Sequence, residues 1–255
     1  MGARSLKPGH TRFFVGYKKH TLRLWISGFE PFILLVPLVS WAAPASVPES
    51  YLLKPSIHYC RQQLDFVPDI VVGDMGYIHQ ATKRELREQL KVAVVTKLKA
   101  DMKAHCPYTE DQPLRCRQGQ ELIWLGYDEQ QGEHWFKAPP QAGLCGSCWQ
   151  QSACSREFTM RADTHETFFG MIPLNTTLGR RLVCSVRSWI EASQSFEKNQ
   201  LGLKAMFLNS LRLCWVTSLL ADSAALLRTL AILKEPPAKT LLGNLLPSQI
   251  PLPLD

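Results

Sequence analysis

The run from Cys184 to Leu203, CSVRSWIEASQSFEKNQLGL, constrains this chain more than any other stretch. It reads as one long helix, with Gly202 as its stop. Arg187, Glu191 and Lys198 stand at i, i+4 and i+11, so they line one stripe at 3.6 residues per turn. Val183, Val186 and Ile190 fall on a second stripe that can face a core. A charged file beside an apolar one also fits an ordinary solvated face, whose helical ion pairs contribute only about 0.2–0.5 kcal/mol each.

What precedes this helix reads as strands and helices in alternation. HTRFFVGYKKHTLRLW carries the β-branched and aromatic residues of a strand or hairpin, with Arg12, Lys18, Lys19 and Arg23 interleaved among Phe13, Phe14, Tyr17 and Trp25. FILLVPLVSW, from Phe32 to Trp41, reads as a buried strand. With the basic segment before it and AAPAS after it, it also mimics a secretory signal peptide. Against that stand the long basic part, Glu30 beside the apolar run and Pro37 inside it. The run falls short of the ~20 apolar residues that span a bilayer. Val47 to Leu64 reads as a helix with a kink or break at Pro55.

PDIVVGDMGYIH follows. Ile70 to Val72 read as a short buried strand, with Asp74 at its carboxyl end and Gly76 and Tyr77 next. Ligand sites in α/β sheets gather at that end of a strand, although an Asp there also serves as a turn residue or helix cap. KRELREQL, Lys83 to Leu90, reads as a charged amphipathic helix, and VAVVTKLK, Val92 to Lys99, as a strand. The chain thus divides into 1–99 with these core elements, 100–173, 174–234 with the Glu191 helix, and a Pro/Leu-rich tail at 235–255. Composition suits this: 255 residues, 45% apolar and a net charge of +7, which fits a globular core and leans towards a polyanionic partner.

From 100 to 173 the pattern breaks into strand-like pieces, ELIWLGYD and EHWFKA, joined by the turn-like EQQG. Most cysteines lie here. Cys116, Cys145, Cys148 and Cys154 form C…C-x2-C-x5-C, a set able to hold a structural Zn²⁺, to stay as reduced thiols or to pair. Cys60, Cys184 and Cys214 sit in apolar sequence and read as core. Ala205 to Leu233 is apolar nearly all round, interrupted by Arg212, Asp222 and Arg228, and reads as a buried packing helix and not a membrane span.

R-x3-E-x6-K, on Arg187, Glu191 and Lys198, resembles the last catalytic helix of bacterial insertion-sequence transposases of the DDE class, whose signature is Y-x2-R-x3-E-x6-K. The Tyr position falls on Cys184. D-x-G-Y after a short apolar strand, at Asp74 to Tyr77, resembles the second catalytic aspartate of the same enzymes. The resemblance covers about Thr11 to Lys234. It implies an RNase H-like mixed sheet with flanking helices, a β-rich cysteine-containing insertion and a two-Mg²⁺ site for DNA cleavage and strand transfer at the element's ends. Asp74 and Glu191 would ligate the metals, Arg187 and Lys198 would hold phosphates, and Tyr77 would stack or hydrogen-bond nearby. It further implies a cytoplasmic protein without membrane contact, partnered by DNA and by full-length transposase or further copies.

The resemblance also implies a first catalytic Asp on a strand upstream of HTRFFVGYKKH, but the first aspartate here is Asp65. The expectation is therefore a transposase fragment, incomplete at its N-terminal strand and inactive alone. A non-catalytic DNA-binding or regulatory derivative is the alternative, and an unrelated secreted cysteine-rich protein is a third reading.

Overall fold

The computed structural model describes residues 2–7, 10–14, 16–26, 34–139, 145, 154–201, 203 and 210–234. In chain order the described elements begin with strands β1 (Gly2–Lys7), β2 (His10–Phe14), β3 (Tyr17–Ile26) and β4 (Leu34–Pro44), then helix α1 (Ser50–Leu64). Next come β5 (Ile70–Gly73), α2 (Gln80–Leu90), β6 (Ala93–Thr96) and α3 (Ala100–His105). After β7 (Ile123–Asp128), β8 (Glu133–Lys137) and β9 (Glu157–Arg161) the chain turns helical, through α4 (Thr177–Arg181), α5 (Arg187–Asn199) and α6 (Leu211–Lys234). This is a mixed α/β chain. It divides into two compact units, Met1–Phe66 with Ser188–Asp255, and Val67–Arg187.

The first unit is built on a hairpin. β3 and β4 pair antiparallel with a register shift between Leu22 and Arg23, as β1 and β2 pair ahead of them. The expected strand character of HTRFFVGYKKHTLRLW is observed in β2 and β3, each of which pairs with a strand outside that segment. α1 packs on β4 through Leu53, Ile57 and Cys60. The Trp41 indole N–H donates to Ser56 Oγ at 2.9 Å, and Ser56 Oγ donates onward to the Leu52 carbonyl at 2.7 Å. Pro55 sits inside α1 without the expected break. It falls within the first two turns, where its missing N–H removes one ladder bond and leaves the rest of the helix paired.

α6 lies along β4 and β3, and its burial corrects the sequence expectation. Among its described side chains Ser218, Ala221 and Asp222 are buried, while Leu213, Val216, Leu220, Leu227 and Leu230 are exposed. The hairpin offers the helix one face, and 24 largely apolar residues have more than one face to cover. Among the described residues, this helix (Leu211–Ala231) is long and apolar enough to cross a membrane by length and composition.

The second unit holds a parallel pair and a three-stranded antiparallel sheet. β5 and β6 pair in register from Ile70 opposite Ala93 to Gly73 opposite Thr96, with α2 as the crossover. β7, β8 and β9 form the antiparallel sheet, with the β7–β8 turn where EQQG was expected to make one. Phe136, Phe168, Phe169 and His134 fill its buried side. Among the described residues β5–β6 is a two-stranded sheet of this unit, as β3–β4 is of the first.

The helix read from Cys184 onward starts earlier. α4 runs into a π turn, Leu182–Val186, and then into α5. Thr176 Oγ1 accepts from the Gly179 amide at 3.0 Å and donates to the Pro173 carbonyl at 2.7 Å, which fixes where α4 begins. Gly179 is required there, since a Cβ would overlap the Pro173 carbonyl and lie 2.9 Å from Leu174 Cα. Leu182 and Val186 are buried, and this turn packs on β5 and β6. Cys184 stands two positions from both, on the opposite side of the turn, and is exposed and not in the core as expected. Cys60 is buried and Cys214 half-buried. Gly202 and the tail at 235–255 lie outside the described residues.

Candidate functional site

The sequence-predicted residues fall in both units. In the second, the Val-rich β5 ends at Gly73, and the chain turns at once into a short 3-10 turn, Met75–Tyr77. Asp74 caps it: its backbone is extended, and Asp74 Oδ1 accepts from the Met75 amide at 2.7 Å. The carboxylate is exposed. A Cβ at Gly73 would stand 3.4 Å from both Thr96 Cγ2 and Tyr77 Cβ, so Tyr77 lies directly over the strand end. Asp74 and Tyr77 are therefore together at the carboxyl end of a parallel strand.

Beside Thr96 lies a cation from the helix that the sequence reading gave only as charged and amphipathic. Lys83 of α2 is 3% exposed, and its Nζ donates to Thr96 Oγ1 and to the Thr167 carbonyl, both at 3.3 Å. Burial pulls its pKa down to about 8, against the opposing field of Glu166. One turn on, Arg87 grips Glu166 with two bonds, Nε to Oε1 at 3.1 Å and Nη2 to Oε2 at 2.9 Å, and donates to Tyr127 Oη at 3.1 Å. Burial works against the Arg87 charge, but the Glu166 hydrogen bonds and field outweigh it and raise the pKa.

His134, on the inward face of β8, is fully buried. The Trp124 indole donates to its Nδ1 at 3.2 Å, so Nε2 carries the proton and donates to the Gly170 carbonyl at 3.0 Å. Burial is the main force on this ring, and its pKa falls to about 4.

In the first unit, Glu191 and Lys198 are exposed along α5, whose first residue, Arg187, is the last of the second unit. The buried acid of that helix is Glu197, which the sequence reading passed over. Glu197 binds Lys19 at 3.0 Å and also Arg23, and Asp222 of α6 binds Lys19 at 2.7 Å and Arg23 at 3.9 Å. Arg23 Nη1 adds a bond to Ser193 Oγ at 2.6 Å. Two basic side chains of β3 are thus neutralised inside the unit. Beside them a groove of 460 Å³ is lined by Trp189, Ser193, Phe196, Asn199 and Arg228, among others. The Trp25 and Trp189 rings stand 5.2 Å apart, and the Arg228 guanidinium lies 4.3 Å over Phe196.

The zinc candidates are only partly described. Cys116 and Cys145 both meet Gln120: the Cys116 amide donates to its carbonyl at 2.8 Å, and Cys145 Sγ to its side-chain oxygen at 3.6 Å. Cys154 is exposed, and Cys148 lies outside the described residues. Among the described residues, no group of three or more His, Cys, Asp or Glu is placed to hold a metal ion.

No family model, curated protein or solved structure matches the chain. What can be said of its chemistry therefore comes from these residues. An exposed carboxylate at a parallel strand end is a hard oxygen donor suited to a divalent cation. Exposed Glu and Lys on one helix suit a cation and a phosphate respectively.

Proposed function

We propose that the chain is a catalytic-domain portion of an insertion-sequence DDE transposase of the RNase H-like class, cytoplasmic and directed at DNA. The observation that carries the reading is Asp74, exposed at the carboxyl end of the parallel strand β5 with Tyr77 over it. It is supported by the element order, β3, β4, α1, β5, α2 and β6 ahead of an inserted β-sheet and then the helix carrying Glu191. The exposure of both Glu191 and Lys198 is the second support.

The reading requires Asp74 and Glu191 to supply oxygen ligands to Mg²⁺, which when bound would polarise the scissile phosphodiester. Lys198 and Arg187 would hold backbone phosphates, Lys as a point charge and Arg by its fork. Tyr77 would stack or hydrogen-bond close to the site. Zn²⁺ on Cys116, Cys145, Cys148 and Cys154 would be a folding element of the insertion and not part of the reaction.

The first aspartate of the chain is Asp65, so the third carboxylate of such a site has no candidate on β1 to β4. That favours DNA binding without cutting for the chain by itself, as a regulatory derivative or a partner of full-length transposase. Fluorescence anisotropy with duplex DNA over a salt series, run beside a plasmid-nicking assay with Mg²⁺, tests both points. Binding should weaken steeply with salt, and Lys198→Ala should lower the slope of log K against log salt by about one. Nicking that disappears in Asp74→Asn would keep the transposase reading and overturn the inactivity of the chain. Absence of salt-dependent binding would overturn both.

A further inference from the structure

The groove of the first unit follows from the spacing of residues on α5. Trp189, Ala192, Ser193, Phe196 and Asn199 stand at i, i+3, i+4, i+7 and i+10, so one face of the helix makes one wall. Trp189 and Phe196 are separated by a rise of about 10 Å, and Ala192 and Ser193 stand between them on that face. Ala225, Arg228 and Thr229 of α6 share a face in the same way, and β4 adds Leu34 and Leu35. The space is open because small side chains stand where large ones would close it. Both rings are braced. Trp25 stands 5.2 Å from Trp189, and the Arg228 guanidinium lies 4.3 Å over Phe196.

We propose that this groove is a binding site for a small aromatic carboxylate. Its volume, 460 Å³, is that of a small-molecule pocket. The charges fix the sign of the ligand. Two arginines and no acid stand among the described residues of the lining. Arg23 is already held by Glu197, and its side chain is 4% exposed. Arg228 is exposed, and the side chain it meets among the described residues is the Phe196 ring. A ring answers the charge of a guanidinium but takes up few of its five N–H donors, so a fork remains for a carboxylate. One unmatched cation calls for a monoanion, and the same charge repels a cationic ligand. The walls fix the body. Leu34, Leu35 and Ala225 are apolar, and Trp189 offers a ring on which an aromatic ligand gains more than area burial alone supplies. The inference is independent of the transposase reading.

An NMR titration of the isotope-labelled full chain, followed at the indole N–H of Trp189, tests it with cinnamate, neutral cinnamamide and inorganic phosphate. Cinnamate should shift the Trp189 signal saturably. Cinnamamide should bind at least about tenfold more weakly, since it lacks the charge that the fork grips. Arg228→Gln should bring the two ligands to a common Kd. Ala192→Leu places a branched side chain in the gap, at an exposed helix position where Leu is a good helix former, and should raise the cinnamate Kd at least about tenfold. Circular dichroism checks that both variants fold. A Trp189 signal unmoved by cinnamate up to about 10 mM overturns the proposal. So does cinnamamide bound as tightly as cinnamate by the wild-type chain, a comparison that needs no variant to fold. Phosphate that displaces cinnamate at equal concentration, or a cinnamate Kd left unchanged in folded Ala192→Leu, overturns it as well.

Discussion

Both units bury charge, but with different arithmetic. In the first, two cations meet two carboxylates: Lys19 and Arg23 share Glu197 and Asp222. In the second, two buried cations, Lys83 and Arg87, face one buried carboxylate, Glu166. Arg87 takes Glu166 in a bidentate grip, and Lys83 is left with neutral oxygens from Thr96 and Thr167. The planar fork wins the carboxylate because it satisfies both oxygens at once. The compact ammonium then yields its proton more easily, down to about 8. Whether a buried lysine stays charged is thus decided by which cation its neighbours can serve better.

The largest effect should come from breaking the matched cluster. Glu197→Gln leaves the Arg23 guanidinium, 4% exposed at its side chain, with Asp222 at 3.9 Å as its remaining carboxylate in the cluster, and should cost about 3–5 kcal/mol in urea unfolding.

The unmatched unit should reveal itself by pH. Lys83 has a folded pKa of about 8 against an ordinary 10.5, so the unfolded chain holds more protons between those values. Its contribution is complete above 10.5 and is lost as pH falls to about 8, a change on the order of 3 kcal/mol. Unfolding midpoints should therefore rise from pH 8 towards 10, and Lys83→Met should flatten that rise. His134, held at about 4 against 6.5, gives a second limb of the same sign: stability present above 6.5 and lost as pH falls towards 4, again about 3 kcal/mol.

Removing one lysine from each unit sharpens the contrast at neutral pH. Lys19→Met leaves Asp222 short of its nearest cation and should cost about 1–3 kcal/mol. Lys83→Met abandons no carboxylate and should stay within about 1 kcal/mol of the wild type or gain stability. Smallest of all is Arg115→Ala. Its pair with Glu121 is more than half exposed on both sides, and the change should fall under about 0.5 kcal/mol.

What the sequence disclosed follows from range. The strands β5 to β8, the EQQG turn and the helices α2 and α5 are written in local periodicity and turn chemistry, and all were legible. Lys83 was legible too, had the stripe been followed: Lys83, Leu86, Arg87 and Leu90 are i, i+3, i+4 and i+7, the buried face of α2. Its partners were not, since Thr167 lies 84 positions away and Glu166 lies 79 from Arg87. The exposed side of α6 was misread because apolar composition reports what a helix would bury, not what it is offered. For the candidate site, Asp74 stands at the end of β5, where the strand pattern put it. The Cys184 environment did not, because a π turn is invisible to a 3.6-residue count.

The two units also differ in when they can be completed. Val67–Arg187 is one continuous stretch, whereas the other unit opens at Met1 and closes only after Ser188. Lys19 leaves the ribosome 203 positions ahead of Asp222. At roughly 5–20 residues per second, that gap is on the order of 10–40 s. For most of that interval the β3–β4 hairpin has α1 but neither α5 nor α6, and a two-stranded hairpin with so little cover is only marginally stable in water. The later half of the sequence is therefore the timekeeper of the earlier half: a hairpin made early is among the last parts to settle.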